Sequence, residues 1–187
     1  DTIFDVAYKK YQTLSHKDEK FWLFMLNLDT HWDKWVFSNK CDHLKYTEKN
    51  SILNAYHCTD YLLNNFINKV KQSDRFKETI IVIASDHYAM SNNNSIDIIQ
   101  ENEDKRRMLF LILDPSHEGK IISKPWTTLD MWPTILTSLW FRVNNLGLWV
   151  NLFHEENRTI QVEYSDFIFQ KWKADFESFW TSPSTWE

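Results

Sequence analysis

The sequence predicts an α/β domain: a mostly parallel central sheet sandwiched between helices, present here as a partial domain. Three observations predict it. Short, continuous apolar runs such as "FWLFMLNL", "TIIVIA" and "MLFLIL" are too brief for helices and too unbroken for half-exposed strands. A long amphipathic stretch separates the first of these runs from the second. Polar, chemistry-bearing residues gather just after the runs, where ligands sit in open α/β sheets.

The elements follow in order. Residues 2–14 predict a helix, because Ile3, Phe4, Ala7, Tyr8 and Tyr11 recur at three- and four-residue steps. "HKDEK" is a charged turn, and Phe21 to Leu28 predicts a buried strand ending in "DTH". Residues 32–48 form a polar loop containing Cys41. From about Glu48 to Gln72 the chain predicts one long helix, with Ile52, Ala55, Thr59, Leu62, Leu63, Phe66, Ile67 and Val70 on the stripe that faces a sheet. Thr79 to Ala84 predicts a central strand, followed by the polar loop "SNNNSIDIIQENEDKR". Met108 to Leu113 predicts another buried strand that stops at "DPSHEG". Thr127 to Leu139 predicts a helix with Asp130 early in it and Pro133 near its first turns, where proline is tolerated. "TIQVEYS" predicts an edge strand. Residues 1–155 are expected to make the domain, and 156–187 a tail that the sequence assigns to nothing.

Composition narrows the function classes. A chain of 187 residues can bury one substantial core. Its net charge of −5, with Lys and Arg scattered, argues against nucleic acid as a partner. No apolar run approaches the ~18 residues that cross a bilayer. The chain opens at Asp1 without a methionine and stops at "TSPSTWE", so it reads as a fragment of a longer protein. Cys41 and Cys58 leave two readings open, a disulfide if the protein is exported or a pair of buried thiols.

Asp86 and His87, at the end of "TIIVIASDH", offer a carboxylate oxygen and an imidazole nitrogen, the ligand types of a zinc or manganese site. Asp29 and His31 stand in the same relation to the first run. Asp29 fits equally well as a cap on the strand-end loop. His16, His43, His57, His117 and His154 read as solvated or structural.

The order "LDTH", loop cysteine, "NAYHCTDYLLNNFINKV", "VIASDHYAMSNN", "TTLDMWPTILTSL" and "NNLGLWVNLF" resembles the alkaline-phosphatase superfamily. Within it, the series is most similar to membrane-anchored phosphoglycerol and phosphoethanolamine transferases and lipoteichoic-acid synthases, above all those that decorate periplasmic glucans. The resemblance implies Asp86 and His87 as ligands of a divalent metal (Mn, Zn or Mg) and His31 as a contact to the substrate phosphate or glycerol headgroup. It implies a phospholipid headgroup and a glycan acceptor as partners. It also implies an extracytoplasmic location and a membrane anchor outside these residues. In that location a Cys41–Cys58 disulfide is expected. The implied reaction moves phosphoglycerol through a phospho-enzyme. The catalytic nucleophile lies on earlier strands and is not among these residues, so little turnover is expected of this chain alone. A phosphoethanolamine transferase, a lipoteichoic-acid synthase, a sulfatase and a non-catalytic glycan or headgroup binder are the alternatives.

Two glycines and ten tryptophans are out of proportion; about 13 glycines would be ordinary for this length. Trp132, Trp140 and Trp149 fall where the pattern of the resembled family commonly has glycine, and Trp32 and Trp35, just after His31, where a tight loop would favour it. Two readings stay open: genuine aromatic packing or membrane-surface residues, or, the reading favoured here, UGA codons decoded as glycine and read as tryptophan.

Overall fold

The computed structural model describes residues 2–31, 36–44, 51–88, 100, 105–146, 149–154 and 173–174. The chain divides into two compact units, Asp1–Thr79 with His87–Leu109, and Ile80–Asp86 with Phe110–Glu187.

In the first unit, helix α1 spans Ile3–Ser15 and helix α2 spans Ser51–Lys71. Thr2 starts α1 through a capping box: its hydroxyl accepts from the Asp5 N–H, while the Asp5 carboxylate accepts from the Thr2 N–H at 2.7 Å. The Lys40 ammonium also reaches Asp5, and these donors hold its carboxyl well below the usual range. The inner stripe of α2 follows the predicted spacing, with Ile52, Ala55, Leu62 and Val70 buried. Cys58 joins that stripe. A core of Phe4, Cys41, Cys58 and Leu62 forms between the helices, with Met25, Leu44, Tyr61, Leu63 and Phe66 packed on it. Full burial of a side chain such as Phe4 or Leu62 stabilises by about 1.5–3 kcal/mol. The long helix therefore packs on α1 and the cysteine loop. Cys41 and Cys58 are joined in a disulfide, with their Cα atoms 5.6 Å apart, which settles the choice between disulfide and thiols. Beyond α2, the Tyr11 hydroxyl bonds Ser73 Oγ at 2.8 Å and Thr79 Oγ1 at 3.2 Å, tying α1 to the segment that follows α2.

Residues 21–28 are extended but enter no ladder. Phe21, Leu23 and Met25 are half-buried, whereas Trp22, Phe24, Leu26 and Leu28 on the other face are 55, 74, 68 and 59% exposed. The predicted buried strand is thus an apolar ribbon covered on one side.

The second unit holds strand β1, Ile81–Ala84, and strand β2, Phe110–Leu113. They pair antiparallel, with Ile81 opposite Leu113 and Ala84 opposite Phe110. Among the described residues there is no parallel pair, in place of the mostly parallel sheet expected. The parallel expectation took 21–28 as the strand preceding β1 across a helical crossover. That segment joins no ladder, so β1 is paired only with its sequence successor. For the same reason Ile81, Val82 and Ile83 are half-buried instead of covered on both faces.

Helix α3, Met131–Ser138, is preceded by a 3-10 turn at Thr128–Asp130. Two short strands, β3 (Asn145–Leu146) and β4 (Trp149–Val150), form an antiparallel hairpin. Asp130 is fully buried and satisfied: one oxygen accepts from Thr127 N at 2.8 Å and Thr127 Oγ1 at 3.0 Å, the other from Val150 N at 2.9 Å. Asn151, also fully buried, donates to Thr137 Oγ1 at 2.8 Å and to the Val143 carbonyl at 3.1 Å.

At the end of α3 the Trp140 N–H bonds the Thr137 carbonyl and the Phe141 N–H bonds the Leu136 carbonyl. This is a Schellman closure, whose left-handed residue is usually glycine. Here it is Trp140, at φ 67° and 76% exposed. Among the described residues it is the one non-glycine with positive φ. Trp132 in α3 and Trp149 in β4 have ordinary backbones, so the glycine expectation gains a structural reason at 140 only. Trp32 and Trp35 lie outside the described residues, as does the predicted edge strand 159–165 and all of 156–187 except 173–174.

Candidate strand-end site

Each candidate group sits just past an apolar run, because such runs end where the backbone must turn into solvent. After residues 21–28 the chain folds into a turn, with the His31 N–H on the Leu28 carbonyl at 3.0 Å. Asn27 shapes the approach: its side-chain oxygen accepts from the Asp29 N–H at 3.0 Å, and its amide reaches Thr59 Oγ1 on α2 at 3.4 Å. The Val36 N–H returns to the Asp29 carbonyl at 2.9 Å. The turn thus presents His31 to solvent and half-buries Asp29. Burial pushes the Asp29 carboxyl above its ordinary value, because lost hydration penalises the charged form.

Asp86 and His87 follow β1 and are both exposed. They fall on either side of the division between the units. His87 Nδ1 lies 2.7 Å from the Tyr88 carbonyl oxygen. A carbonyl can only accept, so Nδ1 is the donor and the lone pair of a neutral ring sits on Nε2. Fixing one ring nitrogen in this way is how metal-binding histidines are oriented. A carboxylate and an imidazole are each a type of group that ligates divalent cations. Among the described residues, no group of three or more His, Cys, Asp or Glu side chains gathers to hold a metal.

A third polar cluster escaped sequence reading. Just after β2, Asp114 accepts from Ser116 N at 2.9 Å and Ser116 Oγ at 2.6 Å, and lies 2.7 Å from His117 Nδ1. Burial alone would raise the Asp114 carboxyl, but the Ser116 donors and His117 outweigh it and hold it low. Ser116 Oγ and Asp114 share the same ring nitrogen of His117. That is the wiring of a closed turn, not of a nucleophile relayed through a histidine, which uses both nitrogens. "DPSH" read as a turn, and it is one.

No helix among the described residues is long and apolar enough to cross a membrane.

The Sulfatase family model matches residues 2–139. "Phosphoglycerol transferase I" of Shigella flexneri is 34% identical over 142 residues, covering 74% of this chain and 18% of that protein. Proteins of the same name from Escherichia coli strains SMS-3-5 / SECEC and O157:H7 match with the same identity and coverage. The chain thus spans less than a fifth of the length of the curated relatives it matches. No solved structure matches it significantly. The motifs at 29–31 and 85–87 both fall inside the family match.

Proposed function

Because the chain belongs to the sulfatase family, within the alkaline-phosphatase superfamily, we propose that it is part of an extracytoplasmic phosphoglycerol transferase, acting between a phospholipid headgroup and a glycan acceptor. Residues 1–155 contribute the later part of the catalytic domain. The observation that supports the reading is the sequence pair Asp86 and His87 at the end of β1, inside the family match.

In this reading a Ser or Thr hydroxyl supplied from outside the 187 residues attacks the lipid phosphodiester. An enzyme O–P bond forms, the P–O bond to diacylglycerol breaks, and the diacylglycerol oxygen takes a proton. A glycan hydroxyl then attacks the same phosphorus and releases the enzyme oxygen. Bound Mn, Zn or Mg would lower the pKa of the attacking hydroxyl and offset charge on the phosphoryl oxygens. Asp86 and His87 would hold it, together with acidic groups from the remainder of the domain. His31, exposed on its turn, would donate to a phosphoryl or glycerol oxygen.

Calorimetric titration of the chain with Mn²⁺ tests the site. Wild type is expected to bind, and an Asp86→Asn, His87→Gln double variant to lose about tenfold or more in affinity, about 1.4 kcal/mol. Equal binding by both would remove the metal reading. The chain alone is expected to release no diacylglycerol from phosphatidylglycerol vesicles. Turnover by the isolated chain would show that the nucleophile lies within it.

A further inference from the structure

A cavity of about 290 Å³ opens within the first unit, between the start of α1, the cysteine loop and α2. Its floor is carbon: Phe4 and Leu62, each 5% exposed, and Phe66, whose ring is tilted 50° against Phe4 with the centroids 6.3 Å apart. Its rim is polar, with Asp5, Lys40, Tyr61 and Asn65 contributing. The walls are held in place by the protein itself. The capping box fixes Asp5 at the start of α1, and Lys40 bridges from the loop to that carboxylate. The Cys41–Cys58 disulfide ties the residue after Lys40 to α2. A cavity preformed in this way loses little ordering entropy when a ligand enters.

The rim has hydrogen-bonding capacity that the protein leaves unused. Thr2 N, Thr2 Oγ1 and Lys40 Nζ all meet Asp5 at Oδ2, so Oδ1 keeps its acceptor capacity. Among the described residues, no hydrogen bond is made by the Asn65 side-chain amide or the Tyr61 hydroxyl. Both residues are half-buried. The Tyr61 ring is set edge-on to His43, with centroids 5.1 Å apart. An amide brings two donors and an acceptor, and a phenol donates and accepts through one oxygen. Lys69, also at the rim, stands 5.4 Å from the Tyr8 centroid, so the rim carries charge of both signs.

Mixed charge, donors together with acceptors, and a floor of carbon do not single out a simple anion. They fit a ring with hydroxyls on its edge and C–H groups on its face. Each hydroxyl both donates and accepts, and the C–H face can lie against aromatic carbon. The volume is at the small end for ligand cavities. It suits one such ring better than a lipid with its chains.

We propose that this cavity binds a neutral sugar ring of the glycan acceptor, with Asn65 and Tyr61 hydrogen-bonding its hydroxyls above Phe4, Leu62 and Phe66. The ligand class is a pyranose, and the inference rests on the glycan-acceptor reading above.

Saturation-transfer NMR on the full 187-residue chain, disulfide intact, tests it with glucose and N-acetylglucosamine, affinities being read by titration. Wild type should bind at least one of them, its ring C–H protons receiving the most saturation. Tyr61→Phe, which removes one oxygen and keeps the ring, should weaken binding about threefold or more, as for one hydrogen bond. Asn65→Ala should do the same. Asn64→Ala, exposed on the same helix and outside the cavity lining, should leave affinity unchanged. Equal affinity in wild type, Tyr61→Phe and Asn65→Ala would overturn the proposal, as would binding of neither sugar by wild type. An equal loss in Asn64→Ala would trace the effect to the helix and overturn it too. Binding of inorganic phosphate with neither sugar would make the cavity an anion site instead. The Mn²⁺ titration reads the other site: sugar binding without metal binding would retain the cavity and discard the metal pair, and the reverse would discard the cavity alone.

Discussion

Trp140 shows how much one residue can disclose when its backbone is known. An L side chain in the left-handed region costs about 1–2 kcal/mol, because Cβ crowds the following carbonyl. The helix end it completes is regular in every other respect. Trp140→Gly is therefore expected to raise stability by about 1 kcal/mol, read as a higher urea midpoint at unchanged slope. Peptide mass spectrometry of the protein from its own cells should find glycine at 140; tryptophan there would end the codon hypothesis at this position. The exposed positions of Asp86, His87 and His31 just past apolar runs were legible from sequence, because polar groups after such runs have few other places to stand. The cavity above Phe4 and Leu62 was not, since it depends on where the cysteine loop settles against α1, which no local pattern encodes. Nor was the role of Asp130: "TTLD" reads as an ordinary helix start, and the Val150 N–H that uses its other oxygen lies twenty residues on.

The helices were the most legible elements, α1 and α2 appearing within a few residues of their expected bounds, because period and capping are written locally. Pairing direction was not legible. An apolar run fixes that a strand has neighbours but not which, and β1 met β2 antiparallel because the run at 21–28 joined no ladder. The element most dependent on a single group is the α3–hairpin assembly. Asp130→Ala would remove the acceptor of the part-buried Val150 and Thr127 N–H groups, at about 1 kcal/mol or more for donors left unmet. The urea midpoint should fall accordingly, and amide exchange at Val150 should quicken more than exchange in α2. Equal quickening in both would mean that the two units unfold together.

At the scale of the whole molecule, neither the division into two units nor the bare face of the ribbon was legible, because a sequence records apolarity without recording what covers it. The disulfide was expected and is present, binding the loop after His31 to the middle of α2 across 17 positions of sequence. A Cys41→Ser, Cys58→Ser variant should lose about 3 kcal/mol against urea in the chain-entropy account. The same bond has a consequence for how the molecule breaks. It closes residues 41–58 into a covalent ring, so one peptide cleavage between the two cysteines cannot divide the chain. Limited digestion there should yield a single band on a non-reducing gel and two once reductant is added.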